Sequence, residues 1–311
     1  MHQKRAVLLG GTGAVGGATA LRLARAGWDV AVTGRDPKRM PAKLTEAGVR
    51  FRQVERGEVR EVGRLVGDGV DLLVDLVAYT GEDVAAILPV MGVAACPVVV
   101  SGRAVYVDRE GRDLNGAQPP RFDGPLTEDG PTLAPAPPGT DPFTREGYGP
   151  CKSAAERVAL DSGLPVTVLR PSKVHGRWAR NPRTLTVIER MRSDAERFEL
   201  ANGDVADHLS AASNVAALIE VVASKPEARI VNAADPDTPT AEAIVRAVAA
   251  EIAWEGAIVR TDDAERGRHP WRTAMVLDMT AALELGYRPV GTGIELLPEE
   301  VRWVASRSAG R

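Results

Sequence analysis

The sequence predicts an α/β fold in which a doubly wound, mostly parallel sheet carries helices on both faces and a smaller C-terminal lobe stands beside it. Three observations carry this expectation. Short apolar runs alternate with helix-compatible segments through the first half of the chain. The runs are nearly continuous rather than alternating, as strands buried on both faces require. The first of them ends in a glycine-rich turn that opens directly into an amphipathic helix.

Strands are expected at residues 6–9, 29–33, 49–54, 71–77, 97–101 and 166–170. After the first, residues 14–26 set Val15, Ala18, Leu21, Leu23 and Ala24 over one broad helical face. Residues 119–142 are rich in proline, which forbids helix or central strand and predicts a long surface loop serving as lid, binding rim or mobile segment. A helix at 214–223, a strand at 229–232 and a helix at 240–252 follow. Residues 1–173 with 208–235 are expected to form the nucleotide-binding domain, and 174–207 with 236–311 the smaller, substrate-binding lobe.

At 311 residues the chain can bury a sizeable core without disulfides or metals. A net charge of −3 gives no basic excess, so nucleic acid is not an expected partner. Cys96 and Cys151 belong to no metal-binding or CxxC pattern and read as reduced thiols of a cytoplasmic protein. The basic start at residues 2–5 leads into an apolar run too short for a signal peptide, and no later stretch is long enough to span a membrane.

The turn reads Gly10-Gly11-Thr12-Gly13-Ala14-Val15-Gly16. A pyrophosphate can approach backbone only where side chains are absent, and a helix N-terminus offers it free N–H groups and a positive dipole end. At the end of the second strand, NAD enzymes place an acid for the ribose hydroxyls, whereas NADP enzymes place arginine for the extra phosphate. Here Gly34 stands at the acid's position and Arg35 follows, with Lys38 and Arg39 close behind. That favours NADP(H). The alternative is a solvated basic turn with Asp36 binding the ribose of NAD(H).

Tyr148 and Lys152 are four residues apart at the start of a helix, with Pro150 suited to its first turn. A nearby ammonium stabilises phenolate, so the pair predicts a tyrosine tuned to exchange a proton with a substrate hydroxyl or ketone.

Taken together these residues resemble an extended short-chain dehydrogenase of the NAD-dependent epimerase/dehydratase family. The landmarks are the Gly10-Gly13-Gly16 turn, Asp75-Leu76-Val77-Ala78, Val98-Val99-Val100-Ser101 before Val105-Tyr106, and Pro125-Leu126-Thr127-Glu128-Asp129. Tyr148, Lys152, Leu169-Arg170-Pro171 and Val174-His175-Gly176 follow in order. The segment 74–84 is also similar to an atypical branch that includes chloroplast stem-loop-binding proteins, not all of them enzymes. The resemblance implies a Rossmann sheet, Tyr148 as acid/base, and Lys152 on the nicotinamide ribose. It implies cofactor contacts from Gly10, Thr12, Gly13, Ala14, Val15, Gly16, Arg35, Glu58, Val77, Ala78, Pro171 and Val174, and a homodimer built on the helices around Tyr148. The family's substrate-orienting hydroxyl falls at Gly102, so either Ser101 turns inward to replace it or that third catalytic group is missing.

His175 stands where the family often has tyrosine and, like His208, reads as a proton donor or a structural hydrogen-bonder. Arg177, Arg180 and Arg183 around Trp178 form either a substrate-anion grip or a solvated loop. Cys151 reads as a packing residue. The function expected is hydride transfer at a secondary alcohol or ketone of a sugar-like or natural-product substrate, as epimerase, dehydratase or reductase. The alternative is a dinucleotide-binding regulatory or RNA-binding protein with weakened catalysis.

Overall fold

Continuous apolar strands need neighbours in the sheet and a helical layer on each face; one parallel sheet of seven strands supplies both, five of them lying between two neighbours. The computed structural model describes residues 3–308; residues 1–2 of the basic start and 309–311 of the expected lobe lie outside them. From edge to edge the strands run Arg229–Ala233, Thr167–Pro171, Ala94–Val100, Val70–Asp75, Arg5–Leu9, Asp29–Gly34 and Arg50–Gln53. The chain therefore starts in the middle, winds outward to one side, and returns across Arg5–Leu9 to build the other. The reversal falls between Arg5–Leu9 and Val70–Asp75, where Leu9 pairs with Asp75. In open α/β sheets the crevice at such a reversal, beyond the carboxyl ends of the strands, is where ligands bind.

Two apolar layers close the sheet. Helices Ala14–Arg25 and Ala212–Val222 pack on one face through Leu23, Val215 and Ile219. Helices Val59–Val66, Gly81–Met91 and Arg145–Leu160 cover the other through Val62, Ile87 and Ala155. A third cluster lies outside the sheet and joins helices Thr184–Ser193, Ala241–Glu251 and Pro298–Ser308 around Phe198, Leu200 and Trp271. Residues Thr280–Glu284 and Tyr287 turn back onto the sheet's side of the molecule.

The expected strand positions hold within a few residues, with two informative differences. The strands at Val70–Asp75 and Ala94–Val100 end before Val77 and Ser101, so both of those residues belong to the loops at the crevice. The tyrosine helix begins earlier than its proline suggests, because Thr144 caps it by accepting from Gly147 N at 3.0 Å. Pro150 thus sits in the second turn, where it removes the hydrogen bond Glu146 O would receive.

The proline-rich stretch contains neither helix nor strand beyond isolated bridges. It is laced to the body by Leu126 N to Val276 O at 2.9 Å, Ala136 N to Pro150 O at 2.9 Å, and Gly139 N to Glu82 Oε1 at 2.8 Å. No helix among the described residues is long and apolar enough to cross a membrane.

Candidate active site

The glycine-rich turn after the first strand has the shape its glycines imply. Gly10 adopts φ +76°, and a Cβ there would stand 2.5 Å from Val77 Cγ1, so the turn and the loop after the fourth strand can touch only because Gly10 has no side chain. Gly13, at the N-cap of helix Ala14–Arg25, is the opposite case: a Cβ there would meet nothing within 4 Å. That helix start has no side-chain cap and no acid in its first turn. Its free N–H groups therefore open onto empty, side-chain-free space, the arrangement an anionic diphosphate requires. Ala14, Val15 and Gly16 form the buried first turn behind it, and Thr12 lies against Gly34.

This contrast gives a separable prediction. Gly13→Ala is expected to leave the melting temperature unchanged, since nothing opposes the methyl group, yet to weaken dinucleotide binding severalfold by occupying the approach to the helix N-terminus. Calorimetric titration alongside thermal melting checks both halves.

At the end of the second strand Arg35 is exposed, and among the described residues its side chain has no hydrogen-bond or ion-pair partner. Asp36 is occupied: it accepts from Lys38 N at 2.9 Å and faces Arg39 at 3.7 Å. Glu58 is exposed and spends its carboxylate on Glu55 N at 2.8 Å, within its own turn. The residue that reaches inward there is Arg56, whose guanidinium bonds Asp75 at the end of the fourth strand and Asp83 O. No motif marks Arg56; it is a lone arginine in a polar turn, and only the sheet order brings it to Asp75.

Gly149 lets the tyrosine helix lie against the turn Arg103–Val105, since a Cβ there would be 2.7 Å from Ala104 O. Tyr148 is thereby carried to the ends of the fifth and sixth strands. A Cβ on Gly102 would stand 3.9 Å from its hydroxyl and 3.8 Å from Pro171 O. Gly102 is thus the position that faces Tyr148, while the Ser101 hydroxyl is buried without a hydrogen-bond partner.

Lys152, on the same helical face, donates to Ala78 O at 2.6 Å and Val100 O at 3.1 Å and lies 4.8 Å from the Tyr79 ring centre. Burial pushes its ammonium down to about 8, against the attraction of Asp75. Burial, then Tyr79, push the Tyr148 phenol above its ordinary value, and Arg183 is the cation that opposes them. This departs from the expectation of a phenol lowered by Lys152: desolvation outweighs Arg183, while the Lys152 ammonium is hydrogen-bonded to the two carbonyls.

The two histidines are held structurally. His208 Nε2 lies 2.6 Å from Asp235 O, so it carries the proton, and Nδ1 accepts from Leu277 N at 3.1 Å. His175 Nε2 lies 3.2 Å from Asp235 Oδ2, with Nδ1 buried and unpartnered. The three arginines around Trp178 separate. Arg177 and Arg180 line a basic groove of about 1440 Å³ with Lys38, Arg39 and Arg307, whereas Arg183 turns inward and donates to Val174 O at 3.1 Å. Trp178 itself packs on Gly17, with φ +68°.

Comparison with solved structures finds the same fold. The chain superposes on a dTDP-glucose 4,6-dehydratase from Bacillus anthracis in complex with NAD with a TM-score of 0.72, at 16% identity over 98% of each chain. A UDP-glucose 4-epimerase from Thermotoga maritima gives 0.70 at 16% identity over 98% of this chain and 99% of that one. A UDP-glucuronic acid 4-epimerase from Bacillus cereus gives 0.72 at 12% identity over 97% and 99%. The chain shares the fold of these proteins over nearly its whole length. By sequence, residues 6–94 match the family described as the saccharopine dehydrogenase NADP binding domain. None of the curated proteins matches the sequence closely enough to count as a relative.

Proposed function

We propose that the chain is an NAD(P)-dependent oxidoreductase or epimerase that moves a hydride at a secondary alcohol or ketone of a sugar-like or natural-product substrate. The observation that carries this reading is the convergence of Tyr148, Lys152 and the open helix start at Gly13 on the crevice where the strand order reverses. The N–H groups after Gly13 would hold the diphosphate. Val77, Ala78, Pro171 and Val174 would line the nicotinamide end, and the domain carrying them would be 1–173 with 208–235. When bound, the nicotinamide gives or takes the hydride.

Tyr148 would hold and move the proton at the substrate oxygen. Its half-buried phenol, with the pKa raised by desolvation, stays protonated at neutral pH, which suits it to donate. Lys152 would hold the nicotinamide ribose, a role that requires its ammonium to exchange at least one carbonyl for a hydroxyl. The unpaired Arg35 favours NADP(H), because its guanidinium is free to take a ribose phosphate.

Calorimetric titration with NADPH, NADP+, NADH and NAD+ tests the reading. The phosphorylated forms are expected to bind more tightly, and Arg35→Ala to lose about tenfold or more for them alone. Equal affinities in wild type and variant would remove Arg35 from the site, and no binding by any form would end the enzyme reading.

Gly102 motivates a second reading, a dinucleotide-binding protein with weakened turnover. The position facing Tyr148 carries no hydroxyl, and Ser101 makes no hydrogen bond that would replace it. In that case the dinucleotide binds and no carbonyl substrate is reduced.

A further inference from the structure

Beside Tyr148 three cations share too few anions. Arg103 Nη1 bonds Asp207 Oδ1 at 2.5 Å and Ser172 Oγ at 3.2 Å, and Lys173 Nζ bonds Asp207 Oδ2 at 2.6 Å. The side chains of Arg103 and Asp207 are 8% and 0% exposed, so one carboxylate serves two cations out of solvent. Arg183 is the third. Its one hydrogen bond goes to Val174 O, and no carboxylate among the described residues pairs with it.

Glu300, a second carboxylate that acts on Arg183, is already committed. Glu300 accepts from Gly176 N at 2.9 Å, and from Thr184 N at 3.3 Å and Thr184 Oγ1 at 2.7 Å. Burial, then the charge of Arg103, push the Arg183 guanidinium below its ordinary value, and Glu300, Asp207 and Tyr148 act in the other direction. The geometry brings the two guanidiniums together: Arg103 follows Gly102, the position facing Tyr148, and Arg183 bonds the carbonyl of Val174, next to the Lys173 that shares Asp207 with Arg103. Desolvated like charges are costly, and the ligand that relieves them is an oxyanion, to which a guanidinium can donate two parallel hydrogen bonds.

We propose that the substrate carries an anionic oxygen group, carboxylate or phosphoryl, at the end that enters the cleft beside Tyr148, and that Arg183 and Arg103 hold it. This rests on the reading of Tyr148 as the reacting end of the cleft. It narrows the substrate class to acidic sugars, keto acids or phosphorylated ketones. It also assigns the three arginines around Trp178 to two places: Arg183 to the substrate, Arg177 and Arg180 to the outer groove.

The test is calorimetric titration of the full chain with malonate and with inorganic phosphate, each with and without NADPH present. Wild type is expected to bind at least one of the two anions in both conditions, and the tighter of them tells carboxylate from phosphoryl. Arg183→Gln should weaken that binding about tenfold or more, while Arg180→Gln should not. Arg183→Lys, which keeps the charge and loses the fork, should fall between and serves if Arg183→Gln fails to fold. Absence of anion binding to wild type, or equal weakening by Arg180→Gln and Arg183→Gln, overturns the proposal. Titrating NADPH into the same proteins separates the two readings. An Arg183-dependent anion site without NADPH binding removes the enzyme and keeps the anion site; the reverse removes the anion site alone.

Discussion

Tyr148→Phe is expected to lower turnover by about 10²–10⁴-fold, the range a positioned acid/base contributes, with the melting temperature unchanged. The two effects separate because the Tyr148 hydroxyl makes no hydrogen bond to the described residues, so its removal leaves no buried partner unsatisfied. NADPH oxidation, followed with the best carbonyl compound of a screened panel, reads the first effect, and thermal melting the second.

The pH dependence has a defined sign. Reduction needs the phenol protonated, and burial raises its pKa, so Tyr148 stays competent through neutral pH and loses competence only as pH rises through that raised value. Lys152 titrates earlier, at about 8. The alkaline limb of reduction is therefore expected near pH 8 and reports the loss of the Lys152 charge. A flat profile through pH 9 would show that Lys152 is held charged by something other than the groups around it here.

The second large effect is on stability. Arg170 makes a paired contact with Glu156, the closest approach being 2.6 Å, and the two side chains are 3% and 5% exposed. The same guanidinium donates to Glu128 O at 2.9 Å and lies 4.7 Å from the centre of the Tyr106 ring. Glu156→Ala removes the counter-charge and leaves Arg170 buried, which is expected to cost about 3–5 kcal/mol. The double variant Arg170→Met/Glu156→Leu should recover most of that loss, because an apolar pair replaces both charges at once. Urea unfolding of the three proteins measures both; a loss under ~1 kcal/mol for Glu156→Ala would mean that water reaches Arg170. Since Arg170 also holds Glu128 O, the single variant should loosen the proline-rich loop before the whole domain unfolds.

What could be read from the sequence was whatever the backbone dictates locally. The inner strands were legible because burial on both faces leaves continuous apolar runs, in contrast to the polar, exposed edge strand Arg50–Gln53. The glycine-rich turn was legible because only glycine permits its approach to Val77. Tyr148 and Lys152 were legible because four-residue spacing survives any tertiary arrangement. The start of their helix was misplaced because Thr144, an ordinary capping residue among several polar neighbours, outweighs the preference of Pro150 for a first turn.

The parts that depend on distant segments meeting were not legible. Glu58 faces its own turn while Arg56 reaches Asp75, and a two-residue difference in a polar loop carries no pattern to separate them. Arg103 lies in the short turn between Ser101 and Val105, yet nothing local says that Asp207, more than a hundred positions later, will bind it. The same is true of Arg183, one of three arginines alike in sequence and unlike in environment.

Lys152 bonds the carbonyl that follows the fourth strand and the one that ends the fifth. It therefore acts as a rivet between two backbone segments as well as a cation in the crevice. A variant at this position would report two losses in a single assay, and a drop in rate would say little about which had occurred. Tyr148, whose hydroxyl bonds none of the described residues, is the position at which the proposed chemistry would be deleted alone.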